Sequence, residues 1–462
     1  MPYRTENDVL GKVKIESTAY YGSETQRASE NFRISGIRIQ STFIKKYLVL
    51  KRSAALANLQ CGNLDKKRAN AIAMSCDLIL SGRLMEQFVV DVFQAGAGTS
   101  VNMNVNEVIA NCAIEMLGGR KGNYGIIHPN DHVNMSQSTN DTFHTVTRMS
   151  ANNEVKKSLI PSLQKLSSLL GKKSKELVDT VKIGRTHLQD AVPMTFGQEF
   201  SGYAESVNYC IKELASARKA LMEVPLGGTA IGTGINSSKC YASSAIKEIN
   251  RFEHERYKAA KNRFAAMQNE YAELICSNAL KDTAITLNKI ANDFRLLASG
   301  PSAGLAELSL PAVQPGSSIM PGKINPSMAE MLNMVCFQVL GNSTVVDRAA
   351  DSGQLELNVF MPVIAFNLLF SIEILSNAVS VFADKCVKGI KIDRERARYF
   401  AETSAELATA LSPYIGYAKA ADIVREAAAK KRSIIDVCLK RKIMDEKELK
   451  RILDPKKLAK GV

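Results

Sequence analysis

A proline-free part of the chain contains the sequence Leu280-Lys281-Asp282-Thr283-Ala284-Ile285-Thr286-Leu287-Asn288-Lys289-Ile290-Ala291-Asn292-Asp293-Phe294. Leu280, Leu287 and Phe294 recur every seven residues, and Ala284 and Ala291 form a second stripe with the same spacing. An apolar repeat of this kind without proline is typical of an α-helix. Apolar faces on more than one side, one of them lined with small residues, predict a helix that packs among other helices.

Further stretches with helical spacing of apolar residues lie on both sides of this one, at about 155–180, 197–223, 328–348 and 362–388. Long helices of this kind suggest an elongated bundle, and they rarely bury all of their apolar faces within one chain. The sequence therefore predicts a mainly α fold with a central long-helix bundle that associates into an oligomer.

Three domains are predicted along the chain. Residues 1–136 mix short segments with glycine-rich turns and form an N-terminal mixed helical domain. Residues 137–390 hold the long helices and form the central long-helix bundle domain. Residues 391–462 form a small C-terminal helical domain, with a short helix predicted from Asp445 to Leu453 because its leucines and isoleucine share one face.

The overall charge is basic, at +14 for 462 residues, of which 45% are hydrophobic and 23% are charged. This is ordinary globular composition, which excludes disordered and low-complexity classes. The basic residues are dispersed, with local clusters such as Lys430-Lys431-Arg432, and no zinc-finger spacing or aromatic-rich RNA-binding motif accompanies them. The charge is typical of a solvated surface that attracts small anions, and no nucleic-acid partner is expected.

The nine cysteines are scattered between Cys61 and Cys438 without a C-x-x-C pair. A disulfide framework and a cysteine zinc site are therefore not expected, and a reducing cytoplasm fits this pattern. The stretch from Met1 to Asp8 lacks the apolar run of a signal peptide, and no segment approaches about 18 consecutive apolar residues. The sequence predicts a cytoplasmic protein with no membrane partner.

Four polar loops, each followed by a helix-start signal, are the most informative feature. They are Gly96–Asn104, Asn134–Asp141, Gly184–Asp190 and Pro315–Pro326. The helix-start signals are Asn104 with Glu107, Ser138 with Asp141, Thr195 with Gln198, and Ser327 with Glu330. Helix N-termini present free N–H groups and a partial positive charge, so they bind carboxylates or phosphates. Because the loops carry more hydroxyl and amide groups than capping needs, with one lysine, they predict a cradle for a dianion.

Competing motifs fail on detail. Gly322-Lys323-Ile324 lacks the Ser or Thr of a phosphate-binding P-loop, and Gly227–Gly234 does not match the dinucleotide-binding glycine pattern. His128 and His132 have the spacing of helical metal ligands, but Pro129 between them argues against a regular helix. No metal and no cofactor are expected.

The fourth loop resembles the G-S-S-x-M-P-x-K-x-N-P signature of the aspartase/fumarase superfamily. Every fixed position of that signature is present: Gly316, Ser317, Ser318, Met320, Pro321, Lys323, Asn325 and Pro326. The resemblance continues through the other three loops and through Tyr20–Phe32, Leu355–Val359 and Tyr414–Tyr417, so it covers nearly the whole chain. It implies a three-domain fold and a cytoplasmic homotetramer in which three subunits contribute to each active site. The implied reaction is a reversible anti-elimination that yields fumarate.

The resemblance also implies roles for the loop residues. Ser317 is the general base, acting as an alkoxide that backbone N–H groups and nearby positive charge must stabilise. His187 lies at an active-site position, with Glu330 as its partner. The substrate-binding residues are Lys323 and Asn325 for one carboxylate, Thr99, Ser138, Thr139 and Ser318 for the other, and Asn140 and Thr186 for the leaving group. The glycines and prolines of the fourth loop indicate a segment that closes over substrate.

Two branches of the superfamily fit the sequence, aspartate ammonia-lyases and class II fumarases. The segments that resemble the first branch are Ala97–Asn104, His132–Asn134, Ser138–Asp141 and His187–Asp190. Those that lean toward the second are Gly227–Ala230, Leu357–Phe360 and Gly416–Ala421. Because loops that touch substrate should outweigh packing segments, the sequence favours aspartate ammonia-lyase activity, with fumarase activity as the alternative. A non-catalytic structural homologue is a second alternative, disfavoured because the polar set is complete.

One residue departs from the family pattern. His144 stands just after Asn140–Phe143, where relatives usually have proline. We expect a tolerated surface change here; the alternative is a titrating group near the second loop.

Overall fold

The computed structural model describes residues 2–460 and is mostly helical, with 63% of the chain in helices. The helices are α1 (Ser23–Asn31), α2 (Ser41–Gln60), α3 (Lys66–Leu80), α4 (Thr99–Met116), α5 (Thr139–Glu154), α6 (Ile160–Glu176), α7 (Phe196–Leu221), α8 (Tyr241–Glu253), α9 (Arg263–Gln268), α10 (Tyr271–Leu297), α11 (Ser327–Asp351), α12 (Met361–Lys385), α13 (Arg394–Thr403), α14 (Ser412–Ile415), α15 (Tyr417–Lys430), α16 (Ile434–Lys440), α17 (Glu446–Ile452) and α18 (Pro455–Leu458). The prediction of a mainly α fold is confirmed.

The strands form small two-stranded sheets. They are β1 (Tyr3–Asp8) with β2 (Gly11–Glu16), β3 (Val181–Thr186) with β4 (Gln189–Thr195), β5 (Glu223–Val224) with β6 (Lys258–Ala259), and β7 (Leu308–Ser309) with β8 (Lys391–Ile392). Only the β5–β6 pair is parallel among these sheets of the described chain. The sheet of β3 and β4 carries the third polar loop.

The long helices follow the apolar patterns of the sequence. α7, α11 and α12 match the predicted stretches to within about three residues at each end, as boundaries of this kind allow. The stretch predicted from about 155 begins with a wide helical turn at Val155–Leu159 and continues as α6. α2 was not predicted as a long helix, although it spans 20 residues within the N-terminal part.

The seven-residue repeat of α10 is buried as predicted. Leu280, Leu287 and Phe294 are at most 1% exposed, and the alanine stripe is equally buried. The Phe294 ring packs against those of Phe200 and Phe382, with centroids 5.7 and 5.8 Å apart. Burial of this aromatic cluster contributes more than its area alone, because offset ring pairs add about 0.5–1.5 kcal/mol.

The chain divides into two compact units. The first contains residues up to Ile160 with Lys212–Asp282 and Phe337–Leu375. The second contains Pro161–Ile211, Thr283–Cys336 and the residues from Ser376 onward. Several of the long helices contribute residues to both units.

One segment of the described chain, Met361–Gly389, is long and apolar enough to cross a membrane by length and composition. In its most apolar window 61% of the residues are buried within the protein. Such burial is equally typical of the core helix of a globular protein, so the segment is only weak evidence for a membrane span.

A disulfide joins Cys61, at the end of α2, to Cys240, just before α8. No disulfide framework was expected from the spacing of the cysteines, and for this pair the expectation was wrong. The two cysteines are 179 residues apart, so their spacing carried no signal, and only the packing of α2 against α8 brings them together. The other seven cysteines are buried.

Candidate active site

The first compact unit contains the first and second polar loops, and the second unit contains the third and fourth. The predicted site residues therefore fall into two groups. Thr99, Ser138, Thr139 and Asn140 belong to the first unit; Thr186, His187, Ser317, Ser318, Lys323, Asn325 and Glu330 belong to the second.

The first loop places Thr99 at the start of α4, where its side chain is exposed. The two residues before it, Ala97 and Gly98, have positive φ values of 62° and 80°. This left-handed turn reverses the chain and leaves the first N–H groups of α4 at the loop. A Cβ on Gly98 would come 2.1 Å from the Phe143 ring of α5, so only glycine allows this approach.

The prediction that Asn104 and Glu107 cap a helix together was wrong, because α4 begins five residues before Asn104. Glu107 lies buried inside α4 and instead accepts hydrogen bonds at the start of α1. Its carboxylate oxygens accept from the backbone N–H groups of Gly22, Glu24 and Thr25 at 2.8, 2.9 and 3.1 Å. Burial raises the pKa of Glu107 to about 7, against the effect of these hydrogen bonds.

The second loop begins α5 as predicted. Ser138 is the N-cap residue: its hydroxyl accepts from the Asn140 N–H at 3.2 Å, and its own N–H donates to Asp141 at 2.9 Å. The other Asp141 oxygen accepts from the N–H groups of Gly227 and Thr229 at 2.8 and 3.1 Å. Asp141 thus fastens the start of α5 to the glycine-rich segment, and burial raises its pKa to about 6.

The structure brings the first two loops together. The side-chain amide of Asn102, on α4, donates to the Thr139 hydroxyl of α5 at 2.9 Å. The Asn140 amide group donates to the Ala230 carbonyl at 2.8 Å. Thr139 is 8% exposed and Ser138 and Asn140 are half-buried, so the hydroxyls and amides line up along the N-terminus of α5.

The third loop is a β-hairpin, whereas the sequence suggested a loop that runs straight into a helix. β3 and β4 pair through Thr186 and Gln189, and His187 and Leu188 form the two-residue turn with φ values of 56° and 59°. Such turns match the twist of a hairpin but usually need residues that tolerate positive φ. The His187 side chain is exposed at the tip. The helix start at Thr195 and Gln198 is confirmed, since each side chain accepts from the other's backbone N–H.

Arg185, which was not among the predicted site residues, anchors this hairpin. Its guanidinium donates to Glu307 at 2.5 Å, and Glu307 is completely buried. Burial raises the pKa of Glu307, while the positive charges of Lys182 and Arg185 oppose that rise. The ion pair therefore holds the strand that leads directly to Thr186 and His187.

Replacing Arg185 with methionine is expected to destabilise the fold by about 3 kcal/mol, because a buried carboxylate loses its partner. Glu307 then has a pKa further above its unfolded value. A carboxyl of this kind stabilises the fold at low pH, and the contribution is lost as pH rises through the folded pKa. Urea unfolding should therefore show a smaller deficit at about pH 5 than at about pH 8. The double variant with Glu307→Gln should recover most of the stability; an equal deficit at both pH values contradicts the account.

The fourth loop holds Ser317 half-buried, with its hydroxyl oxygen accepting two backbone hydrogen bonds. The Ile319 and Met320 N–H groups donate to Ser317 Oγ at 3.2 and 3.0 Å. Two donors aimed at one oxygen stabilise negative charge on it, as in an oxyanion hole. The loop neck is closed where the Gly316 N–H donates to the Lys323 carbonyl at 2.9 Å and the Asn325 amide donates to the Gly316 carbonyl at 2.7 Å.

Ser318 and Lys323 are exposed on the same loop. The capping-box prediction for Ser327 and Glu330 was wrong: α11 begins at Ser327 itself, and the Glu330 N–H donates to the Pro326 carbonyl at 3.1 Å. Within residues 2–460 of the single chain, no hydrogen bond or ion pair joins Glu330 to His187. The pairing of these two residues stays a prediction.

The expectation of a surface position for His144 was wrong. Its side chain is 1% exposed on α5, with Nε2 3.0 Å from the Met267 carbonyl and Nδ1 3.2 Å from a Glu270 carboxylate oxygen. Because a carbonyl oxygen only accepts hydrogen bonds, Nε2 of His144 carries a hydrogen. A second hydrogen, shared between Nδ1 and the Glu270 carboxylate, gives both of these groups a hydrogen-bond partner. His144 and Glu270 therefore form a buried pair behind the second loop.

One group of side chains within residues 2–460 has ligand atoms close enough together to hold a metal. His144, Glu270 and Glu273 have ligand atoms within 4.8 Å of one another, but Arg148 donates to both Glu273 oxygens at 2.8 and 3.3 Å. A divalent ion would leave this buried group with excess positive charge, which favours a proton instead. His128 and His132 use Nδ1 to accept backbone N–H groups, so neither presents that atom to a metal.

Known families and relatives match the chain along most of its length. A sequence profile described as lyase matches residues 11–341, and one described as the fumarase C C-terminus matches residues 407–460. An aspartate ammonia-lyase from Bacillus sp is 46% identical over 452 residues, which are 98% of this chain and 96% of that protein. A class II fumarate hydratase from Helicobacter pylori is 42% identical over 458 residues, which are 99% of each chain.

Among solved structures, a fumarate lyase:delta crystallin from Brucella melitensis, bound to cobalt, has a TM-score of 0.95 at 46% identity. The match covers 99% of this chain and 100% of that structure's chain. Because its fold and its sequence both match those of lyases along nearly the full length, the protein belongs to the lyase class. The chain belongs to the aspartase/fumarase superfamily, and the predicted fold is confirmed. Its relatives divide between the two branches at similar identity.

Proposed function

We propose that the protein is an aspartate ammonia-lyase, which removes ammonia from L-aspartate to give fumarate in a reversible anti-elimination. The observation that carries the proposal is the pair of backbone N–H groups that donate to Ser317 Oγ. A serine hydroxyl is far too weak an acid to serve as a base unaided, and fixed donors at its oxygen favour the alkoxide. Ser317 then takes the Cβ proton.

The remaining loop residues bind the rest of the substrate. Deprotonation of Cβ places a second negative charge on the adjacent carboxylate, and donors fixed where that charge grows lower the barrier. Lys323 and Asn325, with His187 nearby, bind one carboxylate. The hydroxyls at the starts of α4 and α5, together with that of Ser318, bind the other.

Asn140 and Thr186 bind the leaving group. A protonated amine departs as ammonia without a proton donor, whereas hydroxide needs a general acid. The His132–Asn134, Ser138–Asp141 and His187–Asp190 segments resemble the ammonia-lyases, which supports ammonia as the leaving group.

The chain acts as a cytoplasmic homotetramer in this proposal, with each site built from several subunits. The exposed apolar side chains on the long helices support such association, since Met334 and Phe337 of α11 and Tyr209 of α7 are each more than half exposed. His187 projects at the tip of its hairpin, where it can reach into another copy of the chain. In this proposal the binding partners of each chain are a small dicarboxylate substrate and three further copies of the chain.

Class II fumarase activity is the second candidate. The relative that is a class II fumarate hydratase is only slightly less identical than the ammonia-lyase, and Gly227–Ala230 and Leu357–Phe360 lean toward that branch. His187 could supply the general acid that departure of hydroxide requires.

Mixing the protein with L-aspartate, and separately with L-malate, while following fumarate absorbance tests the proposal. We expect fumarate to form from L-aspartate at least about tenfold faster, per active site at saturation, than from L-malate. Faster release from L-malate would establish the fumarase alternative. No fumarate from either substrate, with a folded oligomer by light scattering, would leave the non-catalytic structural homologue.

A further inference from the structure

A lysine is buried directly behind the second loop. Lys51, on α2, is 0% exposed, and its Nζ donates to the side-chain oxygens of Asn102 and Asn134, both at 2.8 Å. Burying an ammonium group is costly unless hydrogen bonds replace its water. A lysine in this position therefore calls for an explanation beyond packing.

The lysine fixes the orientation of both amides. An ammonium group has only donors, so each asparagine must turn its oxygen toward Lys51. The nitrogen of the Asn102 amide then points the other way, and it donates to Thr139 Oγ1 at 2.9 Å. Asn106 adds a donor to the Asn134 oxygen at 3.2 Å, which holds that amide in the same orientation.

This series of hydrogen bonds determines the direction in which the Thr139 hydroxyl can donate its hydrogen. Its oxygen already accepts a hydrogen bond from Asn102, so its own hydrogen must find a different acceptor. Within residues 2–460, the Thr139 hydroxyl donates to no other group. The hydrogen is available to an acceptor that arrives at the start of α5.

The charges around Lys51 do not alter this arrangement. The titratable groups that face it are Tyr47 of α2, whose ring centroid is 5.4 Å from Nζ, together with Asp141 of α5 and the Cys76 thiol of α3, and the last two oppose the lowering of its pKa. Burial lowers the pKa of Lys51 to about 7. Below that pH the ammonium group only donates and fixes both amides; in the neutral amine two N–H groups remain as donors for the two asparagine oxygens, and Asn106 also donates to that of Asn134.

We propose that Lys51 is a positioning residue which, through Asn102, turns the Thr139 hydroxyl hydrogen outward to bind a substrate carboxylate. The inference rests on the proposed function only in assigning a dicarboxylate to the site. It also gives a reason why the lysine is buried there. Without a group that only donates hydrogen bonds next to Asn102, the Asn102 amide could flip and make Thr139 donate inward.

Asn102→Asp is the test variant, because it changes the polarity of the contact and keeps its shape. A carboxylate accepts from Lys51 but cannot donate to Thr139, so the Thr139 hydrogen turns inward. The new pair of opposite charges should leave the thermal unfolding midpoint unchanged or raise it. The Kd for fumarate, measured by calorimetry, should rise about tenfold or more, because a hydrogen bond to a charged group is lost. The KM should rise similarly, with kcat changed much less.

A double-variant cycle with Thr139→Val separates this mechanism from simple repulsion between the introduced carboxylate and the substrate. If Lys51 and Asn102 act through Thr139, the double variant should bind fumarate no more weakly than the worse single variant. Additive losses would indicate repulsion and overturn the proposal, as would wild-type affinity in the Asn102→Asp protein.

Failure of the proposed function gives a different result. Wild-type protein that binds fumarate but turns over neither substrate would reject the catalytic assignment, while the cycle of Kd values still judges the link from Asn102 to Thr139 through which Lys51 acts. Wild-type protein that binds no dicarboxylate would overturn both.

Discussion

Ser317→Ala should lower kcat for fumarate formation by on the order of 10³-fold or more, since a positioned general base contributes about 10²–10⁴-fold. The KM should change little, because the carboxylate-binding groups stay in place. The side chain is only half-buried and its two partners are backbone N–H groups of an exposed loop, so water can replace it there. The unfolding midpoint is therefore expected to stay within a few degrees of the wild-type value.

Ser302→Ala is the matched control, because Ser302 is an exposed serine of a different loop in the same compact unit. It should leave kcat unchanged. Turnover by Ser317→Ala within a factor of a few of the control would remove Ser317 as the base, whatever the substrate proves to be.

Gly98→Ala should destabilise the protein by about 3 kcal/mol. Two effects add: the residue has a φ of 80°, and the new Cβ would lie 2.1 Å from the Phe143 ring. Phe143 is wholly buried on α5, so the ring cannot swing aside without disturbing the core. Urea unfolding measures the loss, and the turn that places Thr99 should shift, which raises the KM for the dicarboxylate.

Gly118→Ala separates the two effects. Gly118 has nearly the same backbone conformation, with a φ of 81°, but a Cβ there meets nothing within 4 Å. This control should lose only about 1 kcal/mol. Equal losses for the two variants would show that the contact with Phe143 has no part in holding the first loop.

Much of the fold followed from the sequence because its signals were local. The repeat at Leu280, Leu287 and Phe294 requires only that one face of a helix be buried, and the structure buries it. Ser138 and Asp141 formed their capping box because both partners lie within one turn. Asn104 and Glu107 have the same spacing, yet the helix starts earlier, at a left-handed turn that spacing alone does not show.

The parts that escaped prediction depend on residues far apart in the chain. Glu107 meets the start of α1 more than 80 residues earlier, and Cys61 meets Cys240 across 179 residues. Arg185 and Glu307 pair across 122 residues, and Lys51 looks in sequence like any surface lysine among apolar neighbours. His144 gave a usable signal, since it departed from the family pattern, but the sequence could not show which side of α5 faces Met267.

The closed neck of the fourth loop has a consequence for how that loop can move. The bonds from Gly316 to Lys323 and from Asn325 to Gly316 cross its base, and those to Ser317 lie inside the enclosed segment. The segment 316–325 can therefore move as a rigid body about the residues that flank it, with every one of these hydrogen bonds intact. A rigid displacement of this kind would keep the two N–H donors aimed at Ser317 Oγ, so movement of the loop need not disturb the arrangement around that oxygen.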